Sequence, residues 1–134
     1  MKEYIQPRQT GKTTAIATEV NWCAMFDMLP VVVIFPTTLM KRNFDYIHLK
    51  PLGITETERK KIHLIVGARE WKNAFTSDIF SQIKCAKPVR IYIDEVQCLH
   101  AEFIKELQSK YDNIMYVYGT HWVVQHYRGG VNAT

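Results

Sequence analysis

The sequence predicts an α/β fold with a mostly parallel sheet of about five strands. Three observations carry this. Strand and helix signals alternate as β-α-β-α-β-α-β-α-β. Val31-Val32-Val33-Ile34-Phe35 is a continuous apolar run, as expected of a strand covered on both faces. The chain has 134 residues, 47% hydrophobic and 22% charged, which suits one ordinary domain with its own core.

The elements follow in order. Residues 2–6 form a weak first strand. A helix then opens at Gly11 and runs to about Met28, with Ile16, Val20, Cys23 and Ala24 at helical spacing and Pro30 closing it. Residues 31–35 are the second strand. Thr37 or Thr38 caps a helix reaching about His48, and Pro51-Leu52-Gly53 is a turn. Residues 62–66 are the third strand, and a helix occupies part of residues 69–83. Residues 89–93 form the fourth strand. A helix over residues 100–111 carries the stripe Phe103, Ile104, Leu107 and Tyr111. Residues 114–118 are the fifth strand. Residues 121–127 add an edge strand or a short helix, and Gly129-Gly130 leads into a loose tail. The whole, residues 1–134, reads as a single domain.

Several classes are excluded. No apolar run approaches the roughly 18–20 residues a spanning helix needs. The first five residues, Met1-Lys2-Glu3-Tyr4-Ile5, hold no apolar signal core. Cys23, Cys85 and Cys98 are odd in number and show no CxxC, which predicts reduced thiols in a cytoplasmic setting. The net charge of +4 is spread out: residues 1–67 carry 9 basic and 6 acidic groups, residues 68–134 carry 8 and 7. This allows nucleic acid as a partner without demanding it.

The first chemical signal is Gln6-Pro7-Arg8-Gln9-Thr10-Gly11-Lys12-Thr13-Thr14. A bare Gly-Lys-Ser/Thr triplet arises by chance in roughly one chain of this length in fifteen. Here it sits between a strand and a helix, the setting a phosphate-binding loop requires. Gly11 permits close approach of backbone to phosphate, and the first N–H groups of the helix point at the anion. Lys12 would reach the β- and γ-phosphates, and the Thr13 hydroxyl would bind Mg²⁺. The usual glycine five positions before the Gly-Lys pair is replaced by Gln6.

The second signal is Val89-Arg90-Ile91-Tyr92-Ile93-Asp94-Glu95, an apolar strand ending in two carboxylates. Ligand sites of parallel sheets lie at the carboxyl ends of the strands, so this pair can meet the loop. Asp94 would hold Mg²⁺, largely through water. Glu95 would orient or deprotonate an attacking water. A third signal, Tyr116-Val117-Tyr118-Gly119-Thr120, either senses the γ-phosphate or positions water, or is a plain strand-to-loop turn.

Together Arg8-Gln9-Thr10-Gly11-Lys12-Thr13-Thr14, Ile91-Tyr92-Ile93-Asp94-Glu95 and Tyr118-Gly119-Thr120 resemble the ATPase domain of phage terminase large subunits. These are helicase-related DNA-packaging motors with a P-loop fold of the additional-strand, catalytic-glutamate class. Their loop often reads Arg-Gln-x-Gly-Lys-Thr and often lacks the first glycine. The strand at residues 31–35 followed by Pro36-Thr37-Thr38 is also similar to a helicase and terminase segment. Pro7 to Thr14 with Ile93-Asp94-Glu95-Val96-Gln97 resembles prokaryotic AAA-type ATPases as a second family. The resemblance covers the motifs and their order over residues 1–120.

It implies a three-layer P-loop NTPase fold, a minimal core without an appended domain. The implied activity is Mg²⁺-dependent ATP hydrolysis by a phage or viral protein in the host cytoplasm. The implied partner is nucleic acid, with DNA favoured, in a homo-oligomer or with a partner chain. Glu95, Lys12 and Arg8 would be catalytic, Arg8 reaching the γ-phosphate. Gln9, Thr10, Gly11, Lys12, Thr13 and Thr14 would bind nucleotide, Thr13 and Asp94 would hold the metal, and Gly119-Thr120 would couple hydrolysis to movement. The alternative is a nucleotide-binding switch with little turnover that acts through a partner. A nucleotide kinase is disfavoured, because an Asp-Glu pair suits water activation.

Other features have ordinary readings beside functional ones. Lys41-Arg42 and Arg59-Lys60-Lys61 suit a phosphate backbone or, more ordinarily, a solvated helix face. Arg69 and Arg128 are surface arginines or fingers reaching a neighbour. Cys98, His100, His121 and His126 match no standard zinc spacing. Trp22, Phe26 and Phe103, at helical spacing, are expected in the core, and Trp71 in the core or an interface.

Overall fold

The computed structural model describes residues 1–6, 11–26, 30–74 and 90–120. Within them five strands form one sheet, and every pairing is parallel. They are β1 (Lys2–Ile5), β2 (Val31–Phe35), β3 (Ile62–Val66), β4 (Arg90–Ile93) and β5 (Met115–Gly119). Their spatial order is β1-β5-β4-β2-β3. The chain leaves β1 and skips two places before laying down β2. β4 and then β5 fill the gap, so the last strand lies between β1 and β4.

The helices are α1 (Lys12–Phe26), α2 (Thr38–Asn43), α3 (Glu56–Arg59), α4 (Gly67–Ala74) and α5 (Ala101–Tyr111). They cover both faces of the sheet. On one face Val31, Val33 and Phe35 pack with Ile16, Val20 and Cys23 of α1. On the other, Val32 and Ile34 pack in one cluster with Trp71 of α4 and with Phe103, Ile104 and Leu107 of α5. Successive β2 side chains point to opposite faces, so burial on both sides explains why that run lacks polar alternation. Trp71 is therefore a core residue, at 4% exposure.

The predicted core role for Trp22 and Phe26 is overturned. They are 53% and 64% exposed and contact each other at 5.2 Å between ring centroids. Ile16, Val20 and Cys23 already fill the inward stripe of α1, and Trp22 and Phe26 fall on its outer side. Phe103 is in the core as expected.

The connection from β2 to β3 departs from one long α-helix. Thr37 caps it as predicted, its hydroxyl accepting the Met40 N–H at 3.2 Å. After Asn43 the chain continues as a π-helix over Phe44–Leu49 and a 3₁₀ turn over Lys50–Leu52. Phe44 and Leu49, five residues apart, are both buried. An α-helix would separate them around its axis, and the wider π turn brings them toward one face. The short helix α3 starts with a capping box between Thr55 and Glu58, whose signal Thr55-Glu56-Thr57-Glu58 is present in the sequence.

The basic residues of this connection are not simply a solvated face. Arg59 donates to Asp45 at 3.1 Å and to the Ile62 carbonyl at 2.7 Å. Lys61 donates to the Ala24 carbonyl at 3.0 Å, and Lys41 pairs with Glu70 at 3.2 Å. Cys23 and Cys98 are free thiols. Among the described residues no helix is long and apolar enough to cross a membrane. The expectations for residues 121–127, for Gly129-Gly130 and for Cys85, His121, His126 and Arg128 lie outside the described residues.

Candidate functional site

Because all five strands are parallel, the segments following them emerge at one edge of the sheet. Three segments meet there. The first follows β1. The Gln6 N–H donates to the Gly119 carbonyl at 3.0 Å, tying the start of this segment to the end of β5. Gly11 then adopts φ +78°, a left-handed conformation that side-chain-bearing residues resist. Lys12 and Thr13 form the first turn of α1, which turns its leading N–H groups toward that edge.

The second segment follows β4. The Asp94 N–H donates to the Ile34 carbonyl at 3.0 Å, so β2 fixes the backbone there. The Thr13 hydroxyl donates to Asp94 Oδ2 at 3.0 Å across 81 positions of sequence. Asp94 is 1% exposed, and among the described residues its Oδ1 has no hydrogen-bond partner. Burial, with the Glu95 charge added, pushes its carboxyl up to about 6, against the opposing pull of Thr13, the Glu95 backbone amide and Lys12. A buried carboxylate oxygen with no donor is an expensive group. A hydroxyl beside it completes a pair of hard oxygen ligands, the donor type Mg²⁺ selects. The residues present therefore fit the predicted ion.

Glu95 has φ 50° and ψ 53°, the one positive φ among the described non-glycine residues. It starts a 3₁₀ turn over Val96–Cys98, closed by a bond from the Cys98 N–H to the Glu95 carbonyl at 2.9 Å. That turn folds Gln97 back, and its amide donates to Glu95 Oε2.

The third segment follows β5. The Thr120 N–H donates to Gln97 Oε1 at 3.1 Å. A Cβ at Gly119 would stand 2.7 Å from Gln97 Oε1 and 2.9 Å from Val96 Cγ1, so any larger residue there displaces the Gln97 amide or the Val96 side chain. Gly119 and Thr120 thus reach Glu95 through Gln97.

The fold brings Lys12, Thr13, Asp94, Glu95, Gly119 and Thr120 to one edge. Thr14 is also in the first turn of α1, but it is exposed, and its carbonyl accepts from Thr18 at 3.0 Å. Arg8, Gln9 and Thr10 lie outside the described residues. Sequence reasoning gave Gln97 no role of its own. A glutamine in a turn has no distinguishing chemistry until the fold places the end of β5 beside it.

A cavity of about 300 Å³ lies elsewhere, on the β2–β3 connection, lined by Asp45, Tyr46, Leu49, Lys50, Ile54 and Arg59. Its acid and its arginine are already paired with each other. No family model matches the chain, and no curated protein matches its sequence.

Proposed function

We propose that the chain is a Mg²⁺-dependent ATPase with a three-layer P-loop fold of the additional-strand, catalytic-glutamate class, similar to terminase ATPase domains. The observation that carries this reading is the 3.0 Å bond from the Thr13 hydroxyl to Asp94. Two motifs chosen separately in the sequence for metal binding converge on one buried oxygen cluster. The strand order supports the same reading: β5 is an additional strand between the loop-bearing β1 and the carboxylate-bearing β4.

Each residue then has a task. The first N–H groups of α1, with Gly11 before them, receive the phosphates. Lys12 neutralises charge on the β- and γ-phosphates. Asp94 and Thr13 would hold Mg²⁺, in part through water. When bound, the ion would supply positive charge against the phosphates. Glu95 orients water in line with the γ-phosphate and accepts its proton. Arg8 supplies a further positive charge at the γ-phosphate. Gly119 and Thr120 pass the state of that phosphate to the rest of the fold. The resemblance adds nucleic acid, with DNA favoured, as the object acted on, and further copies or a partner chain as part of the working assembly.

The test is nucleotide binding with Mg²⁺, followed by calorimetry. The wild-type chain binds Mg-ATP, and Lys12→Ala weakens that binding by at least tenfold. Equal affinity in the two proteins overturns the phosphate-loop assignment. Binding without phosphate release, with and without DNA, would instead favour a nucleotide switch.

A further inference from the structure

The side chain of Gln97 uses both ends of its amide. Nε2 donates to Glu95 Oε2, and Oε1 accepts the Thr120 N–H at 3.1 Å. The orientation of the amide is not arbitrary. A backbone N–H can only donate and an ionised carboxylate can only accept, so Oε1 must face Thr120 and Nε2 must face Glu95. Backbone geometry leads to the same arrangement from two sides. Glu95 is held at φ 50°, a left-handed conformation that side-chain-bearing residues resist and that persists only where the surroundings impose it. The 3₁₀ turn it starts places Gln97 two residues on, over the end of β5. There Gly119 leaves the space that Gln97 Oε1 occupies, since a Cβ would approach it to 2.7 Å. Gly119 is also fixed from its other side, its carbonyl accepting the Gln6 N–H at the start of the loop segment.

We infer that Gln97 is a positioning residue: its amide locks the Glu95 carboxylate to the Gly119-Thr120 backbone, and Gly119 is a glycine in order to admit that amide. The inference rests on the ATPase reading. It assigns Gly119 a different part from direct contact with phosphate. Movement at the end of β5 changes the orientation of Glu95 through one side chain. Because the lock acts on the group that activates water, it governs turnover and leaves ground-state nucleotide binding alone.

The two ends of the amide can be separated. Gln97→Glu keeps an acceptor for Thr120 and replaces the donor facing Glu95 with a second carboxylate oxygen. Gln97→Met removes both. Steady-state hydrolysis and hydrogen exchange at the Thr120 amide are measured on wild type and both variants, with thermal melting as the check on folding. Both variants lose about 10–100-fold in kcat, the cost typical of a misplaced reacting group. Their KM for Mg-ATP stays within about twofold, because ground-state contacts are untouched. The Thr120 amide exchanges faster in Gln97→Met and keeps its protection in Gln97→Glu. Gly119→Ala lowers kcat in the wild-type background and has a smaller effect once Gln97→Ala has vacated the space. Wild-type turnover with full kcat in Gln97→Glu overturns the lock and leaves the ATPase reading standing. Unchanged Thr120 exchange in Gln97→Met overturns it whether or not the protein hydrolyses ATP. A wild type that binds Mg-ATP and never releases phosphate overturns the catalytic reading and the positioning role with it.

Discussion

Burial of the Asp94 carboxylate gives the molecule a built-in pH dependence. Its folded value, about 6, lies above the 3.8 expected of a solvated group. As pH rises from about 4, the unfolded chain releases this proton before the folded one does, so stability falls across the window between about 4 and 6. Above that window the full cost applies, on the order of 3 kcal/mol. Asp94→Asn keeps an acceptor for Thr13 and removes the charge. Without Mg²⁺, the variant melts at a higher temperature than wild type at pH 8, and the difference disappears below about pH 4. Mg²⁺ with nucleotide raises the wild-type melting temperature at pH 8 and leaves the variant unchanged. A variant less stable than wild type at pH 8 would contradict the electrostatic account. At this scale the sequence was informative wherever chemistry is local. Lys12, Thr13, Asp94 and Glu95 stand out in the sequence because each residue type is what a phosphate or a divalent ion would require, and the fold brings the four to one edge. Gln97 was not, because its partners come from β5 and from the left-handed turn at Glu95.

Strands and helices bear on the site through what they hold in place. α5 lies on the face of the sheet that also buries Ile91 and Ile93 of β4, the strand leading into Asp94. Ile104 is fully buried in that cluster. Ile104→Ala leaves a cavity there and costs about 2–5 kcal/mol, read as a lower denaturation midpoint with an unchanged slope. On the other face, the Tyr118 hydroxyl donates to Glu19 at 3.0 Å and its ring stacks on Tyr4 at 4.7 Å, joining β5 to α1 and β1. Strand positions were readable to within a residue or two, because β-branched runs bounded by turn residues have few alternatives. The π-helix was hidden. Phe44 and Leu49 show their five-residue spacing only once both are buried. The exposed side of α1 was hidden as well. An aromatic pair at helical spacing looks the same on either side of a helix, and Trp22 with Phe26 faces outward.

The molecule as a whole is a parallel sheet whose strand order, β1-β5-β4-β2-β3, sets the working edge. Inserting β5 between β1 and β4 separates the loop from the carboxylates by one strand. That strand ends in Gly119, which pairs with Ile5 before the loop and packs against Val96 and Gln97 after the carboxylates. On the proposed reading, a change at bound phosphates would therefore reach the centre of the sheet directly. The alternation of elements predicted the parallel sheet, but it does not determine strand order, since many orders satisfy the same alternation. Hydrolysis of ATP at this edge, with Glu95 activating water, is checked by measuring phosphate release from Glu95→Gln beside wild type. Wild type is expected to release phosphate in the presence of Mg²⁺, while Glu95→Gln binds Mg-ATP as tightly and releases at least about 100-fold less. Hydrolysis at the wild-type rate by Glu95→Gln would contradict it.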